Sequence, residues 1–163
     1  MTEKPVDAVR RHVLELLKGK SAHIDFESAI ARIPVAHRGR KPPGSPHTLW
    51  QLLEHIRIAQ CDILEFSRDP EHVSPQWPDG YWPSSEAPPS EAAWRKSVAA
   101  VRAGLAAMQE LIENPKSDLL KPFAHGDGQT LLREALLVAD HNAYHLGQFV
   151  LVRKMLEALD AGA

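Results

Sequence analysis

The sequence predicts an all-α fold, a four-helix bundle with long crossover connections, and the placement of proline is the main reason. The chain has 163 residues and 13 prolines, none of which falls within blocks 47–69, 90–114 or 123–163. A further proline-free block, 6–33, begins just after Pro5. Proline breaks helix interiors, so these blocks are where long helices can run. Apolar residues recur within them every three or four positions, which indicates helices with a buried face.

The N-terminal block is expected to hold two helices. Val9, Val13 and Leu17 follow the helical spacing and mark the first helix, which begins after Pro5. A shorter helix is predicted from about residue 25 to residue 33, and it is expected to pack at the end of the bundle.

The next two long helices have recognisable boundaries. Ser45-Pro46 suits the start of the second long helix, because proline fits the first helical turn. Ser90 can cap the third, since a serine hydroxyl accepts from a free backbone N–H there. Asn114-Pro115 should end that helix, because the residue before a proline disfavours the helical conformation.

The fourth long helix is expected to run from Thr130, which can cap it, to about Leu159. It is apolar on more than one face, as in a helix that packs against several neighbours. We therefore expect it to be the most buried element.

The connections are long, which favours crossover topology, because simple up-and-down bundles use short loops. Prolines crowd segments 34–46 and 70–89. Segment 69–89 also contains Trp77, Tyr81 and Trp82, and it is expected to pack along or over the bundle. These aromatic residues either fill the side of the bundle or wall a substrate pocket. All of this fits one domain spanning residues 1–163.

Composition excludes several classes of protein. With 19 basic and 21 acidic residues the net charge is −2, which argues against nucleic acid as a partner. The one dense basic run, Arg38, Arg40 and Lys41, is expected to lie in a solvated loop.

No apolar stretch is long enough to span a membrane and the N-terminus lacks the apolar core of a signal peptide, so we expect a cytoplasmic protein. Cys61, the only cysteine, cannot form an intramolecular disulfide and is expected to be a buried structural thiol.

Three histidines stand out because they lie among apolar residues. His141 and His145 are four positions apart in the fourth long helix, which places them on one face, about 6 Å apart along the axis. His55 lies beside the apolar stripe of the second long helix. Two histidines at this spacing can reach one metal ion, although a pair packed in the core is the simpler alternative. A third histidine favours the metal site, because three neutral imidazoles without a cation leave acceptors unused. The other six, His12, His23, His37, His47, His72 and His125, lie near helix ends or in loops, where a surface position suffices.

The surrounding residues exclude one metalloenzyme class and suggest auxiliary positions. Zinc proteases with a His-Glu-x-x-His motif need a glutamate after the first histidine, and here that residue is Asn142. Gln148 and Tyr144 lie on or beside the predicted ligand face and are candidates for contacts with the ligands or substrate. Glu54 and Asp140 point about 100° away from it and are expected to pair with surface cations.

This arrangement resembles the DinB-like (DinB/YfiT) superfamily of metal-dependent four-helix-bundle enzymes. One histidine in the second long helix is followed in the fourth by His-x-x-x-His running into Gly-Gln. Matching segments are Ser45-Pro46-His47-Thr48-Leu49-Trp50 leading into Leu53-Glu54-His55-Ile56, and Gly80-Tyr81-Trp82-Pro83.

The resemblance implies that His55, His141 and His145 are the ligands of a divalent metal, commonly nickel or zinc, with one coordination position open. It also implies a homodimer and a small-molecule substrate. Better-understood relatives use low-molecular-weight thiols such as bacillithiol or mycothiol, so the expected activity is thiol transfer. Trp82 is a further candidate for a contact with the ligands or substrate. Metal-dependent hydrolysis, and a non-catalytic metal-binding role in stress responses, remain alternatives.

Overall fold

The regular secondary structure is helical throughout the part of the chain that the computed structural model describes, residues 4–19 and 21–162. The helices are α1 (Pro5–Lys18), α2 (Phe26–Ile30), α3 (Val35–Arg38), α4 (Leu49–Arg68), α5 (Glu91–Glu113) and α6 (Leu131–Ala161), with one 3-10 turn at Asp79–Tyr81. The predicted all-α fold is confirmed. The predicted domain, 1–163, includes residues outside the described ranges, and its limits stay a prediction.

The four long helices form the bundle and the two short helices lie in the connection from α1 to α4. α4 packs against α5 and α6, and α1 packs against the same two helices, so α1 and α4 occupy opposite corners. The connection from α1 to α4 therefore crosses the bundle. The long loop from α4 to α5 instead joins two helices that are in contact.

Helix boundaries follow local capping, and the caps predicted at Ser90 and Thr130 are confirmed. The hydroxyls of Ser90 and Thr130 accept from backbone N–H groups at the starts of α5 and α6. The start predicted near Pro46 is wrong. α4 begins at Leu49, because Thr48 and Gln51 form a reciprocal capping box.

The short helix predicted over residues 25–33 is interrupted. α2 ends at Ile30, and Arg32 has a φ of 58°, a left-handed conformation that no helix continues through. Pro34 disfavours helix at the residue before it, so the chain restarts as α3 only after that proline.

The core consists of two clusters. Both clusters draw on α4, α5 and α6, and they lie towards opposite ends of the bundle. The first comprises Ala29, Ile33, Leu49, Trp50, Leu52, Leu53, Ile56, Trp94, Val98, Val101, Leu146, Phe149, Val152 and Leu156. The second comprises Val13, Leu17, Ile63, Leu64, Met108, Ile112, Leu119, Leu131, Ala135 and Val138. Two polar side chains, Gln60 and Asn142, meet between them.

Truncating the largest fully buried side chain should measure how much the first cluster contributes. Phe149 is 1% exposed, so we expect Phe149→Ala to lower the free energy of unfolding by about 3–5 kcal/mol. Leu151 lies two residues away on the same helix and is 59% exposed, so Leu151→Ala should stay within about 0.5 kcal/mol. Urea denaturation followed by circular dichroism measures both. Equal effects of the two substitutions would contradict the placement of α6.

Several surface expectations are wrong. Arg38 is buried, with its guanidinium 4.8 Å from the Trp94 ring centroid, rather than in a solvated loop. His37 is also buried, and its Nε2 lies 2.6 Å from Asp160 Oδ2. Cys61 is exposed rather than buried. None of the described helices has the length and apolar character needed to cross a membrane.

Candidate metal centre

The structure brings His55, His141 and His145 together between α4 and α6. The Nε2 atom of His55 lies 3.0 Å from Nε2 of His145 and 3.1 Å from Nε2 of His141. One ring nitrogen of each residue lies within 4.8 Å of the other two. A tetrahedral ion with metal–nitrogen distances of about 2.0–2.1 Å separates its ligand atoms by about 3.3 Å. The spacing of the three imidazoles therefore fits one small divalent ion.

Hydrogen bonds on the far side of two rings fix which nitrogen carries the proton. Nδ1 of His55 donates to the carbonyl oxygen of Tyr81 at 2.8 Å, and Nδ1 of His145 donates to Oε1 of Gln148 at 2.9 Å. In a neutral imidazole with its proton on Nδ1, Nε2 has a free lone pair. Two lone pairs thus face each other at 3.0 Å. They repel unless a cation lies between them.

A proton does not supply that cation near neutral pH. Burial lowers the pKa of His145 to about 4, with His55 adding to the effect, and burial together with the neighbouring His145 lowers that of His141 to about 4. Burial also lowers the pKa of His55, although its bond to the Tyr81 carbonyl acts in the opposite direction. All three rings are therefore neutral at pH 7, which is the state that binds metals.

An aromatic stack covers the centre on the side of α4. The ring of Trp82 lies parallel to that of His55, with centroids 3.9 Å apart, and His47 stacks on Trp82 at 4.0 Å. Trp82 also packs against the first core cluster. Trp82 therefore fills the side of the bundle, which is one of the two expected alternatives, and it also covers His55. That it walls a substrate pocket stays a prediction. Trp77, by contrast, is largely exposed.

The loop that carries Trp82 is hydrogen bonded to α4 and to Thr48, the residue that precedes α4. Asp62 accepts from the hydroxyl of Tyr81 at 2.6 Å and from Nε2 of His72 at 2.8 Å. Burial and this bond raise the pKa of Tyr81 to about 12, so its hydroxyl remains a donor. Further along, Oγ1 of Thr48 donates to the carbonyl oxygen of Glu86 at 2.6 Å. These bonds place the Tyr81 carbonyl where it orients His55.

The other candidates divide into residues that contact the cluster and residues that do not. Gln148 hydrogen bonds to His145, and Tyr144 meets the same ring edge to face with centroids 4.9 Å apart, although Tyr144 is 65% exposed. Glu54 forms two bonds of 2.8 Å with Arg57, so the expected pairing with a cation is confirmed, but its side chain is buried. Asp140 is exposed.

Sequence reasoning missed three contributors to this centre. His47 was expected at the surface, whereas it is half-buried against Trp82. Asp62 holds Tyr81 and the Tyr81 carbonyl holds His55, and both contacts depend on how the loop folds back on α4. The spacing of residues within one helix does not predict such contacts. Two segments that matched the family pattern carried a signal, residues 45–50 for His47 and Gly80-Tyr81-Trp82-Pro83 for Tyr81, whereas no motif pointed to Asp62.

Comparison with known proteins agrees with this architecture. Residues 20–149 match the family described as the DinB superfamily, a stretch that includes all three histidines and α2 to α5 in full. No curated protein and no solved structure gave a significant match. The family and the three-histidine cluster are both compatible with a metal-binding protein. Since the match covers most of its length, this chain belongs to the DinB superfamily.

Proposed function

We propose that this protein binds a divalent metal, nickel or zinc, through Nε2 of His55, His141 and His145, and that it is a metal-dependent transferase of low-molecular-weight thiols. One observation supports the metal above all others. The lone pairs of His55 and His145 converge at 3.0 Å, while both Nδ1 atoms are committed to other acceptors. Such an arrangement is costly unless a cation occupies it.

The ligand set is that of a catalytic site rather than a structural one. Among the described residues the group that can hold an ion contains three members, all histidines. Two carboxylates directly precede ligands in the sequence, but Glu54 is held by Arg57 and Asp140 is exposed, and neither belongs to the group. Three neutral ligands leave the full charge of the ion and at least one coordination position available. His141 is the least buried of the three, so a substrate is expected to approach on its side.

A divalent ion bound here lowers the pKa of a thiol or water that it binds and so supplies a nucleophile near pH 7. The protein's own residues orient the ligands and exclude water. Gln148 and the Tyr81 carbonyl hold the rings of His145 and His55 in position, and Trp82 covers one face. In the proposed reaction a carbon–sulfur bond forms at an electrophilic carbon, the leaving group departs with its electron pair, and the thiol proton passes to solvent.

A thiol panel tests this proposal. We expect the metal-loaded protein to conjugate at least one of bacillithiol, mycothiol, glutathione and cysteine to chlorodinitrobenzene, with release of chloride. The rate should be lost on chelation and restored by nickel or zinc. It should also be lost in His55→Ala and retained in His12→Ala, because His12 is exposed and lies in α1 outside the cluster.

Other results would select the alternatives. Metal-dependent cleavage of nitrophenyl esters without thiol conjugation would identify a hydrolase. Stoichiometric metal with neither activity would favour a non-catalytic role. A conjugation rate unaffected by chelator or by His55→Ala would contradict any role for the metal in thiol transfer.

The bond from His145 to Gln148 predicts a measurable contribution to metal affinity. We expect Gln148→Leu to weaken metal binding by about 10–100-fold, because a ligand histidine depends on the acceptor of its second ring nitrogen for orientation and basicity. Gln148→Glu keeps an acceptor oxygen and should retain most of the affinity. Competition with a chromophoric chelator measures both. Equal losses in the two variants would show that the effect is one of packing rather than of this hydrogen bond.

The resemblance also implies a homodimer and a small-molecule substrate, and both stay predictions. The net charge of −2 gives no reason to propose a nucleic acid as a further partner.

A further inference from the structure

His141 differs from the other two clustered histidines in the surroundings of its second ring nitrogen. Each of the others has a close acceptor at Nδ1, whereas Nδ1 of His141 is buried without a hydrogen-bond partner of good geometry among the described residues. Oδ1 of the next residue, Asn142, is buried in the same state. We propose, on the basis of the metal site proposed above, that Asn142 and Gln60 are positioning residues that keep the proton of His141 on Nδ1 and leave Nε2 free to bind the ion.

The two buried atoms belong to neighbouring residues, and their side chains interact. Burial lowers the pKa of His141, and His145 and His55 add to this effect, whereas a hydrogen bond with the Asn142 side chain acts in the opposite direction. A bond that raises the pKa of an imidazole is one in which the imidazole donates, because an acceptor favours the protonated ring. The oxygen of Asn142 is therefore the acceptor for the Nδ1 proton.

The direction of this bond is fixed by a chain of amides that ends on α5. Nε2 of Gln60 donates to the carbonyl oxygen of Val101 at 2.8 Å. A backbone carbonyl can only accept, so Oε1 of Gln60 is left to receive Nδ2 of Asn142, at 2.7 Å. Rotating the Asn142 amide would break this bond, so Asn142 presents its oxygen, and not its NH₂ group, to His141.

The position of the proton decides what His141 presents to the other two rings. With the proton on Nδ1, Nε2 has a free lone pair, and this atom lies 3.1 Å from Nε2 of His55. All three rings are then in the neutral form, with the free nitrogen inward, that binds a metal. The other tautomer would instead donate from Nε2 to His55 and would block the site. The partner of the second nitrogen normally selects between such tautomers.

The position of Gln60 in turn depends on a glycine of α5. Gln60 is 1% exposed and passes over Gly104, where a Cβ atom would come within 2.6 Å of its Nε2. Glycine is less favourable than alanine inside a helix, so Gly104 does not serve the stability of α5 itself. The space that it leaves is the space that the Gln60 amide needs.

NMR of metal-free protein with nitrogen-labelled histidines locates the proton directly. We expect the Nδ1–H form of His141 in the wild type. Asn142→Leu and Gln60→Leu should both populate the Nε2–H form, because the first removes the acceptor and the second leaves it free to rotate. His125 is an internal control, because its Nε2 bonds to the Phe66 carbonyl and should stay protonated in every variant.

Metal affinity, measured by competition with a chromophoric chelator, tests whether the two residues act in series. Asn142→Leu should weaken binding of nickel or zinc by about 10–100-fold and Gln60→Leu by about tenfold. Because Gln60 acts through Asn142, the double variant should bind no more weakly than Asn142→Leu alone. Two residues that only support packing would have effects that multiply.

A pair of glycine variants tests the chain without removing a polar group. Gly104→Ala should weaken metal binding by about tenfold, because the added methyl group displaces Gln60 although it favours the helix. Gly147→Ala is the matched control, because a Cβ atom added there on α6 meets no atom within 4 Å. Helical circular dichroism checks the folding of every variant.

Four outcomes would overturn the proposal. They are the Nε2–H form of His141 in the wild type, unchanged metal affinity in Asn142→Leu, losses that multiply in the double variant, and equal affinities of the two glycine variants. The first needs no substitution, so it decides the matter even where a variant does not fold. A wild-type protein that binds neither nickel nor zinc would refute the proposed metal function instead, and the tautomer of His141 would still be measured in the metal-free protein.

Discussion

Replacing both His141 and His145 with alanine is expected to abolish stoichiometric binding of nickel or zinc while the chain keeps its helical circular dichroism spectrum. Only His55 would remain of the three converging imidazoles. Changes outside the ligand shell already cost about 10–100-fold in metal affinity, so loss of two ligands should cost more than about a hundredfold. The helix should persist, because alanine has the highest helix propensity and the apolar residues by which α6 joins the two core clusters are untouched.

Elemental analysis of protein purified without a histidine tag measures this effect. A double variant of His12 and His125 is the matched control, because both residues are exposed and outside the cluster. It should bind one metal per chain, as the wild type does. Full metal content in the His141 and His145 double variant would refute the ligand assignment.

Protein stripped of metal is expected to lose stability as the pH falls from about 6.5 to about 4. His141 and His145 have pKa values of about 4 in the fold, below the ordinary 6.5, because burial and the neighbouring imidazoles disfavour the charged forms. Between these values the unfolded chain binds more protons than the folded chain, so the free energy of unfolding rises with pH. The destabilisation begins below about 6.5 and is complete below about 4.

Urea denaturation across this pH range measures the slope. The variant with alanine at positions 141 and 145 should have a flatter profile, since it lacks both groups. Saturating metal should stabilise the wild type at pH 7, because an ion that binds only the folded state adds its binding free energy. Identical profiles for the wild type and the variant would show that these imidazoles do not couple folding to protons.

Much of the fold was predictable because proline and helical periodicity are local signals. The histidine pair on α6 was predictable for the same reason, since four residues of separation fix a shared face. The start of α4 was mispredicted because proline at position 46 was preferred over the capping box of Thr48 and Gln51. α3 was missed because four residues are too few for a periodic pattern.

The surroundings of the histidines were less predictable because they depend on contacts between distant segments. His55 and the Tyr81 carbonyl are 26 residues apart, and Gln60 meets Asn142 across 82 residues. Only the path of the loop and the packing of the helices determine these pairs. The same holds for His37, whose partner Asp160 lies 123 residues away.

The separation between the clustered histidines has a further consequence. His55 and His145 are 90 residues apart in the chain, and they belong to helices joined through a long loop and α5. An ion held by both is a cross-link that closes a ring of this size. Closing a long ring restricts the unfolded chain in the way that a disulfide does, and the restriction grows with the logarithm of ring length. Although the chain has only one cysteine, such an ion would give it a cross-link that a chelator removes and added metal restores.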